Sequence, residues 1–283
     1  MPRSATKEIQ PQLQDSSNTA QTTGLRVFIY GMQSSGASLV SFFLAQKQNT
    51  IAIIDLWNHC EAPYLEDAHD KDIVLKCVVT TAVPLETHLL NFKPDKKILV
   101  LRHPCFNYAS LKNKDYGNQC GSVEEKFKIL DSIFDQRDQF DLVIMYEDFI
   151  FSPNKVLKQI QEIGCDPNLD NFNFNRSKEE ILNFNLQHSE WCKNFYKRRW
   201  NFGNIDFQKN TYELFKVFKY ISLKDILTVR SLCPSLCDYY KENFHWDIYK
   251  VYIFSLSLCL TLLNDIKSCV SKNIKALTNP ITS

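Results

Sequence analysis

Five short apolar runs punctuate residues 25–146: LRVFIY (25–30), TIAIIDL (50–56), DIVLKCVV (72–79), KKILVL (96–101) and FDLVIMY (140–146). Each is rich in Val, Ile and Leu and nearly continuous rather than alternating, the pattern of strands buried on both faces of a parallel sheet. Between them the apolar positions return with a helical period, as at Phe127, Leu130, Ile133 and Phe134, and again at Val156, Leu157, Ile160 and Ile163 behind the helix-starting Pro153. Gly164 is placed to cap that last helix, and Pro167 prevents its continuation. The alternation predicts an α/β fold: a three-layer sandwich around a central, mainly parallel sheet.

Residues 1–24 break the pattern. They are polar, rich in Gln, Ser and Thr, and contain no apolar segment, so they are expected to form a disordered leader rather than a signal peptide or anchor. That expectation places the chain in the cytoplasm. The α/β pattern runs to about residue 225, leaving 226–283 as a helical extension. Its most apolar part, within 250–263, has only 13 residues from Val251 to Leu263, short of the ~18–20 a membrane-spanning helix needs. It is expected to be a buried or partner-facing helix, with interfacial membrane contact as the weaker alternative.

Composition narrows the function classes. Of 283 residues, 44% are hydrophobic and 23% charged, which suits a globular chain, and a net charge of +1 excludes a global field drawing it to nucleic acid or anionic membrane. Any anion site must therefore be local. The ten cysteines follow no repeating frame and read as free thiols in a reducing compartment. A zinc site on Cys233, Cys237 and His245 would lack a fourth ligand, and no metal is expected.

The chemistry concentrates where strands end. After the first run comes GMQSSGAS, residues 31–38, opening into a helix; a helix N-terminus behind a glycine loop turns unpaired N–H groups and a positive dipole end toward an anion. Ser34, Ser35, Gly36, Ala37 and Ser38 are the candidate cradle, with Gly36 expected to allow close approach of the anion. Gly31, Gly36 and Ser38 fit the triphosphate loop GxxxxGK[ST], but Ala37 stands where its lysine would be. A second polar site follows the fourth run: Arg102 leaves the strand, Pro104 can sit in the next helical turn, and Ser110 lies eight residues after the arginine. A guanidinium fork with a hydroxyl beside it suits a phosphate. Two anion sites on strand ends suggest a ligand with two separated anionic groups.

The ordered set GMQSSGASL, VLRHPCFNYAS and VIMYEDFIFSPNKVLKQIQEIG resembles the P-loop-like sulfotransferases that use 3′-phosphoadenosine 5′-phosphosulfate, over about 140 residues. The resemblance implies a P-loop NTPase-like fold, a first loop that cradles the 5′-phosphosulfate, and Arg102, Pro104 and Ser110 on the 3′-phosphate. It also accounts for Ala37, because a sulfuryl donor has no triphosphate. Such enzymes generally carry Lys or Arg two residues before the second glycine, where this chain has Ser34; Lys76, at a strand end where relatives often have lysine, is the candidate substitute. His59 and Glu61 are the candidate general bases, with a capping or solvated role equally open. His103 reads as structural or nucleotide-adjacent. The cluster WCKNFYKRRWNFGN (191–204) offers Arg198, Arg199 and Trp200 as a lid over the nucleotide, or else a solvated helix face.

The resemblance therefore implies a sulfotransferase acting on a hydroxyl or amine of a sugar, lipid or small molecule, with the nucleotide donor and the acceptor as its partners. A catalytically weakened nucleotide-binding relative, favoured by Ser34, and a degraded nucleotide kinase are the alternatives.

Overall fold

In the computed structural model, residues 23–54, 56–167, 174–196, 221–243 and Lys267 are described. The apolar runs become β1 (Arg26–Gly31), β2 (Thr50–Ile53), β3 (Asp72–Val78), β4 (Lys96–Leu101) and β5 (Leu142–Met145). They form one sheet in the order β2-β3-β1-β4-β5, every pairing parallel. Two runs prove shorter than expected: β2 stops at Ile53, and Tyr146, Glu147 and Asp148 are the first turn of a helix rather than a strand end.

Helices cover both faces, giving the expected three layers. In register, Ile29 faces Lys76 and Ile98, while Phe28 faces Leu75. On the Phe28 side, α2 (Leu85–Phe92) brings Phe92 and His88 against the Phe28 ring, with centroids 6.1 Å apart in both cases. On the Ile29 side lies α1 (Ala37–Leu44), seven of whose residues are buried. The chain continues through α3 (Pro104–Lys112), α4 (Val123–Asp135), α5 (Tyr146–Phe151) and α6 (Pro153–Glu162). Pro104 and Pro153 occupy first turns, where the missing N–H costs nothing. Then come α7 (Lys178–His188) and α8 (Glu190–Tyr196) at the β2 edge, where the Asn185 amide bonds both the N–H and the carbonyl of Ala52.

The boundary expected after residue 225 falls inside a helix. Here α9 (Leu223–Leu232) and α10 (Pro234–Asn243) share the core through Val229, Cys233, Leu236 and Tyr240. Lys112 on α3 pairs with Asp225 at 2.5 Å, and the Asp131 carboxylate on α4 accepts from Leu236 N–H at 2.9 Å, capping α10. A carboxylate at a helix start neutralises the exposed N–H groups there. Cys233 donates its thiol proton to Val229 O at 3.2 Å, and the eight described cysteines are free thiols. Among the described residues no helix is long and apolar enough to cross a membrane, and no His, Cys, Asp and Glu grouping could hold a metal ion. His245, the apolar stretch 250–263 and residues 1–22 of the leader lie outside the described residues.

Candidate functional site

The strand order creates the site. The connection leaving β1 travels toward β2, while the one leaving β4 travels toward β5 on the other side, so a crevice opens between the carboxyl ends of these adjacent strands. Ligands of open α/β sheets bind at such a divergence.

The loop GMQSSGAS forms one wall. Ser35 N–H turns back to Met32 O at 3.1 Å. Ser34 and Gly36 take φ of 63° and 90°, while Ser35 between them stays at negative φ; alternating the hand of successive residues makes a concave nest of N–H groups. Gly36 is also the N-cap of α1 and supplies no side-chain cap, so the first N–H groups of the helix point out of its end. The Ser35 hydroxyl is buried without a hydrogen-bond partner, an orphaned polar atom that an anion's oxygen would satisfy.

Glycine at position 36 is also required by the fold itself, through its φ of 90° and through a neighbouring side chain. A Cβ built there would stand 2.1 Å from Cδ2 and 2.5 Å from Cε2 of Tyr146, the first residue of α5. The loop and the Tyr-Glu-Asp segment are thus packed face to face, and it is a side chain of the fold that excludes a Cβ.

Arg102 and Lys76 are brought to this loop. Arg102 Nη1 donates to Ser34 O at 3.0 Å, with its guanidinium 5.3 Å from the Tyr146 ring centroid. Lys76 is buried beneath α1, and its Nζ donates to Ser38 Oγ at 3.0 Å. It stands two residues before the end of β3, not at the end. Ser110 is half-buried on α3, one turn beyond Asn107, whose amide donates to Gln33 O at 3.2 Å and pins that helix to the loop. Ala37 is buried in the core, so a lysine at that position would displace packing.

Glu61 is not brought there. Its carboxylate accepts from Asn91 at 2.7 Å, in the last turn of α2. The neighbouring Phe92 carbonyl accepts from Arg26, the first residue of β1. Glu61 therefore lies toward the amino ends of the strands, remote from the loop, because the chain after β2 runs back down the sheet instead of staying at its mouth. The described contacts of Glu61 thus hold it on Asn91 rather than against the loop. His59 is exposed, its ring beside Trp57 at 5.6 Å, and Trp57 in turn meets Phe195 of α8. Arg198, Arg199 and Trp200 lie outside the described residues.

Three further residues, Lys114, Asn107 and Lys126, reach the loop or its neighbours without a local signal in the sequence. Lys114 Nζ donates to Ser34 Oγ at 2.9 Å, and Tyr116 OH lies 3.4 Å from the same oxygen. Asn107 holds Gln33 as described. Lys126 is wholly buried and donates to Gln33 Oε1 at 3.0 Å, Gly117 O at 2.8 Å and Gln119 O at 2.6 Å. The lysines of LKNKDYGNQ are visible in sequence, but no spacing ties them to the loop. Only the folded contact between Lys114 and Ser34, 80 positions apart, does so.

Behind Arg102 lies a buried polar relay. His103 N–H donates to Glu147 Oε1 at 2.9 Å, and Tyr240 OH from α10 donates to Glu147 Oε2 at 3.2 Å. Burial raises the Glu147 carboxyl above its ordinary range. His103, stacked on Phe106 at 4.4 Å, is pushed down to about 4, first by burial and then by the Arg102 cation. His88 is also pushed down to about 4 by burial, and its Nδ1 accepts from Ala62 N–H at 3.2 Å, which holds the ring neutral.

Imidazoles free in the unfolded chain titrate near 6.5. As pH falls from 6.5 toward 4, the unfolded chain binds protons that these two native rings refuse, so stability falls across that window by up to about 1.4 kcal/mol per pH unit for each ring. Glu147 opposes the trend where its raised carboxyl titrates. His88→Gln removes one ring's share, so its urea-melt stability is expected to fall less steeply with acid, by up to about 1.4 kcal/mol per pH unit. An unchanged slope in that variant would show that His88 is not the neutral ring described.

No family model and no curated protein matches this chain. Among solved structures, a mouse sulfotransferase, SULT7A1 complexed with PAP, is similar at 11% identity and a TM-score of 0.36, covering 75% of this chain and 89% of that one. The sulfotransferase domain of the olefin synthase from Synechococcus PCC 7002 is similar at 16% identity and a TM-score of 0.38, covering 86% of this chain and all of that one (100%). Likenesses this low add nothing to what the sheet order shows, and the functional reading rests on the loop and its cations.

Proposed function

We propose that the crevice between β1 and β4 binds an adenine nucleotide with separated 5′ and 3′ anionic groups, and that the chain is a sulfotransferase using 3′-phosphoadenosine 5′-phosphosulfate as donor. The observation that supports this most is the bond from Arg102 to Ser34 O at 3.0 Å, which joins the two sequence elements assigned to the two anions into one site. The orphaned Ser35 hydroxyl and the nest over residues 34–36 fit a bound anion. The N–H groups of that nest and the start of α1 would hold the 5′ group, and Arg102 with Ser110 the 3′-phosphate. A guanidinium has five N–H donors in a planar fork, so one group can brace the loop and also bind phosphate.

When bound, the donor supplies the sulfuryl group for an acceptor hydroxyl or amine. Lys76, held on Ser38, is an internal cation that would face negative charge on the transferring side. The remoteness of Glu61 favours a second reading, a relative that binds the nucleotide with little turnover.

Melting the protein with adenosine 3′,5′-bisphosphate, ATP, and ATP with magnesium tests the reading, because a ligand of the native state raises the melting temperature. Selective stabilisation by the bisphosphate is expected. Arg102→Ala is expected to weaken the bisphosphate by about 2–4 kcal/mol, and an analogue lacking the 3′-phosphate by much less. Since Arg102 also braces Ser34, some loss for both ligands is expected; equal losses would reduce it to a structural residue. Preference for ATP with magnesium would return the chain to the kinase reading, and bisphosphate binding without sulfuryl transfer would favour the weakened relative.

A further inference from the structure

Ser34 is where three separate parts of the chain meet. Arg102, from the end of β4, donates to its carbonyl at 3.0 Å. Lys114, two residues beyond α3, donates to its hydroxyl at 2.9 Å, and the Tyr116 hydroxyl stands 3.4 Å from the same oxygen. The Lys114 ammonium also lies 5.4 Å from the Tyr116 ring centroid, a cation–π distance that steadies a long side chain. We infer that Lys114 is the loop cation of this protein: a lysine from the segment after α3 takes the place that a basic residue at position 34 would fill, and binds the 5′ anion of the nucleotide. This inference rests on the function proposed above.

Three physical features support it. First, among the described residues Lys114 makes no ion pair, its contacts being Ser34 and Tyr116, so its charge is not spent on a carboxylate. Second, Lys114 and Arg102 both bring positive charge to Ser34, one to its hydroxyl and one to its carbonyl, which favours an anion beside the loop. Third, the segment bearing Lys114 is anchored from beneath. Wholly buried Lys126 donates both to Gln33 in the loop and to the carbonyls of Gly117 and Gln119, so the loop and the Lys114 segment share one internal brace. A serine at position 34 suits this arrangement, since its short hydroxyl accepts the Lys114 proton where a lysine would crowd it. Tyr116, 40% exposed, then stands at the mouth beside the cation.

The test separates the two anionic ends of the ligand. Dissociation constants of adenosine 3′,5′-bisphosphate, adenosine 5′-phosphate and adenosine 3′-phosphate are measured by calorimetry for the full chain and for Lys114→Met. The wild-type chain is expected to bind the bisphosphate; Lys114→Met is expected to weaken the bisphosphate and the 5′-phosphate about tenfold, the scale of one charge-assisted bond, and to leave the 3′-phosphate within about twofold. Adding Ser34→Lys to Lys114→Met is expected to restore most of the loss by returning the charge to the loop. Lys114 is exposed, so the variant should fold, and its melting temperature without ligand checks this. Equal affinities for wild type and Lys114→Met, or a loss shared equally by the 3′-phosphate, would overturn the inference while leaving the proposed function standing. A double variant that stays as weak as Lys114→Met would overturn it too, by showing that the charge is not what matters. Failure of the wild-type chain to bind any of the three nucleotides would overturn both readings.

Discussion

Gly36→Ala is expected to lower the stability of the fold by about 2–6 kcal/mol. Two costs combine. A residue with a Cβ held at φ 90° costs about 1–3 kcal/mol, and forcing a methyl group into a packed contact costs a further ~1–3 kcal/mol. The obstruction is the Tyr146 ring, which the new Cβ would approach to 2.1 Å. Trimming that ring should therefore relieve part of the cost: in a Tyr146→Leu background, Gly36→Ala is expected to cost at least about 1 kcal/mol less than in the wild type. Urea melts of the four proteins measure this. Additive losses would mean that the ring is not the obstruction and that backbone strain acts alone. Because the loop and α5 share this contact, the stability loss and any loss of nucleotide binding must be separated by working below the melting temperature of each variant.

Lys126→Met is expected to destabilise the protein by about 3–5 kcal/mol. Methionine replaces most of the buried stem, so packing changes little. What is lost is the ammonium that satisfies Gln33 Oε1 and Gly117 O, both left buried without their donor, and the part-buried Gln119 O. Removing one of the stranded acceptors as well, with Gln33→Leu, should recover part of the loss, since deleting both partners of a buried hydrogen bond costs less than deleting one. Burial lowers the Lys126 pKa, the direction expected for an ammonium taken out of water. Denaturant melts check the stability, and a parallel loss of bisphosphate affinity would follow from the slackened loop. A Lys126→Met protein as stable as the wild type would show that the three carbonyl oxygens find other donors.

The α/β class, the five strand positions and the loop at the end of β1 were legible in the chain alone. Buried parallel strands leave continuous apolar runs, and the glycine loop precedes the first helical period, so both are local signals. Arg102 was legible for the same reason: it follows a strand directly. Strand order was not, because nothing in KKILVL states that it will lie beside LRVFIY, and it is this adjacency that puts Arg102 against Ser34.

The rest depended on contacts between distant segments. Glu61 follows β2 closely in sequence, yet the chain turns back along the sheet and leaves it at Asn91, since a loop's path is set by what it packs on and not by where it starts. Gly36 was legible as a glycine that the chain needs, while one constraint on it besides its φ of 90°, the Tyr146 ring, comes from 110 positions away. Lys114 and Lys126 carry no local signal that sets them apart from other lysines of the chain. Only the packing of α3 and α4 against the loop distinguishes them, burying one and setting the other on Ser34. Local chemistry is written in order along the chain; which charges converge is decided by the fold, because hydrogen bonds and burial act through space whatever the separation in sequence.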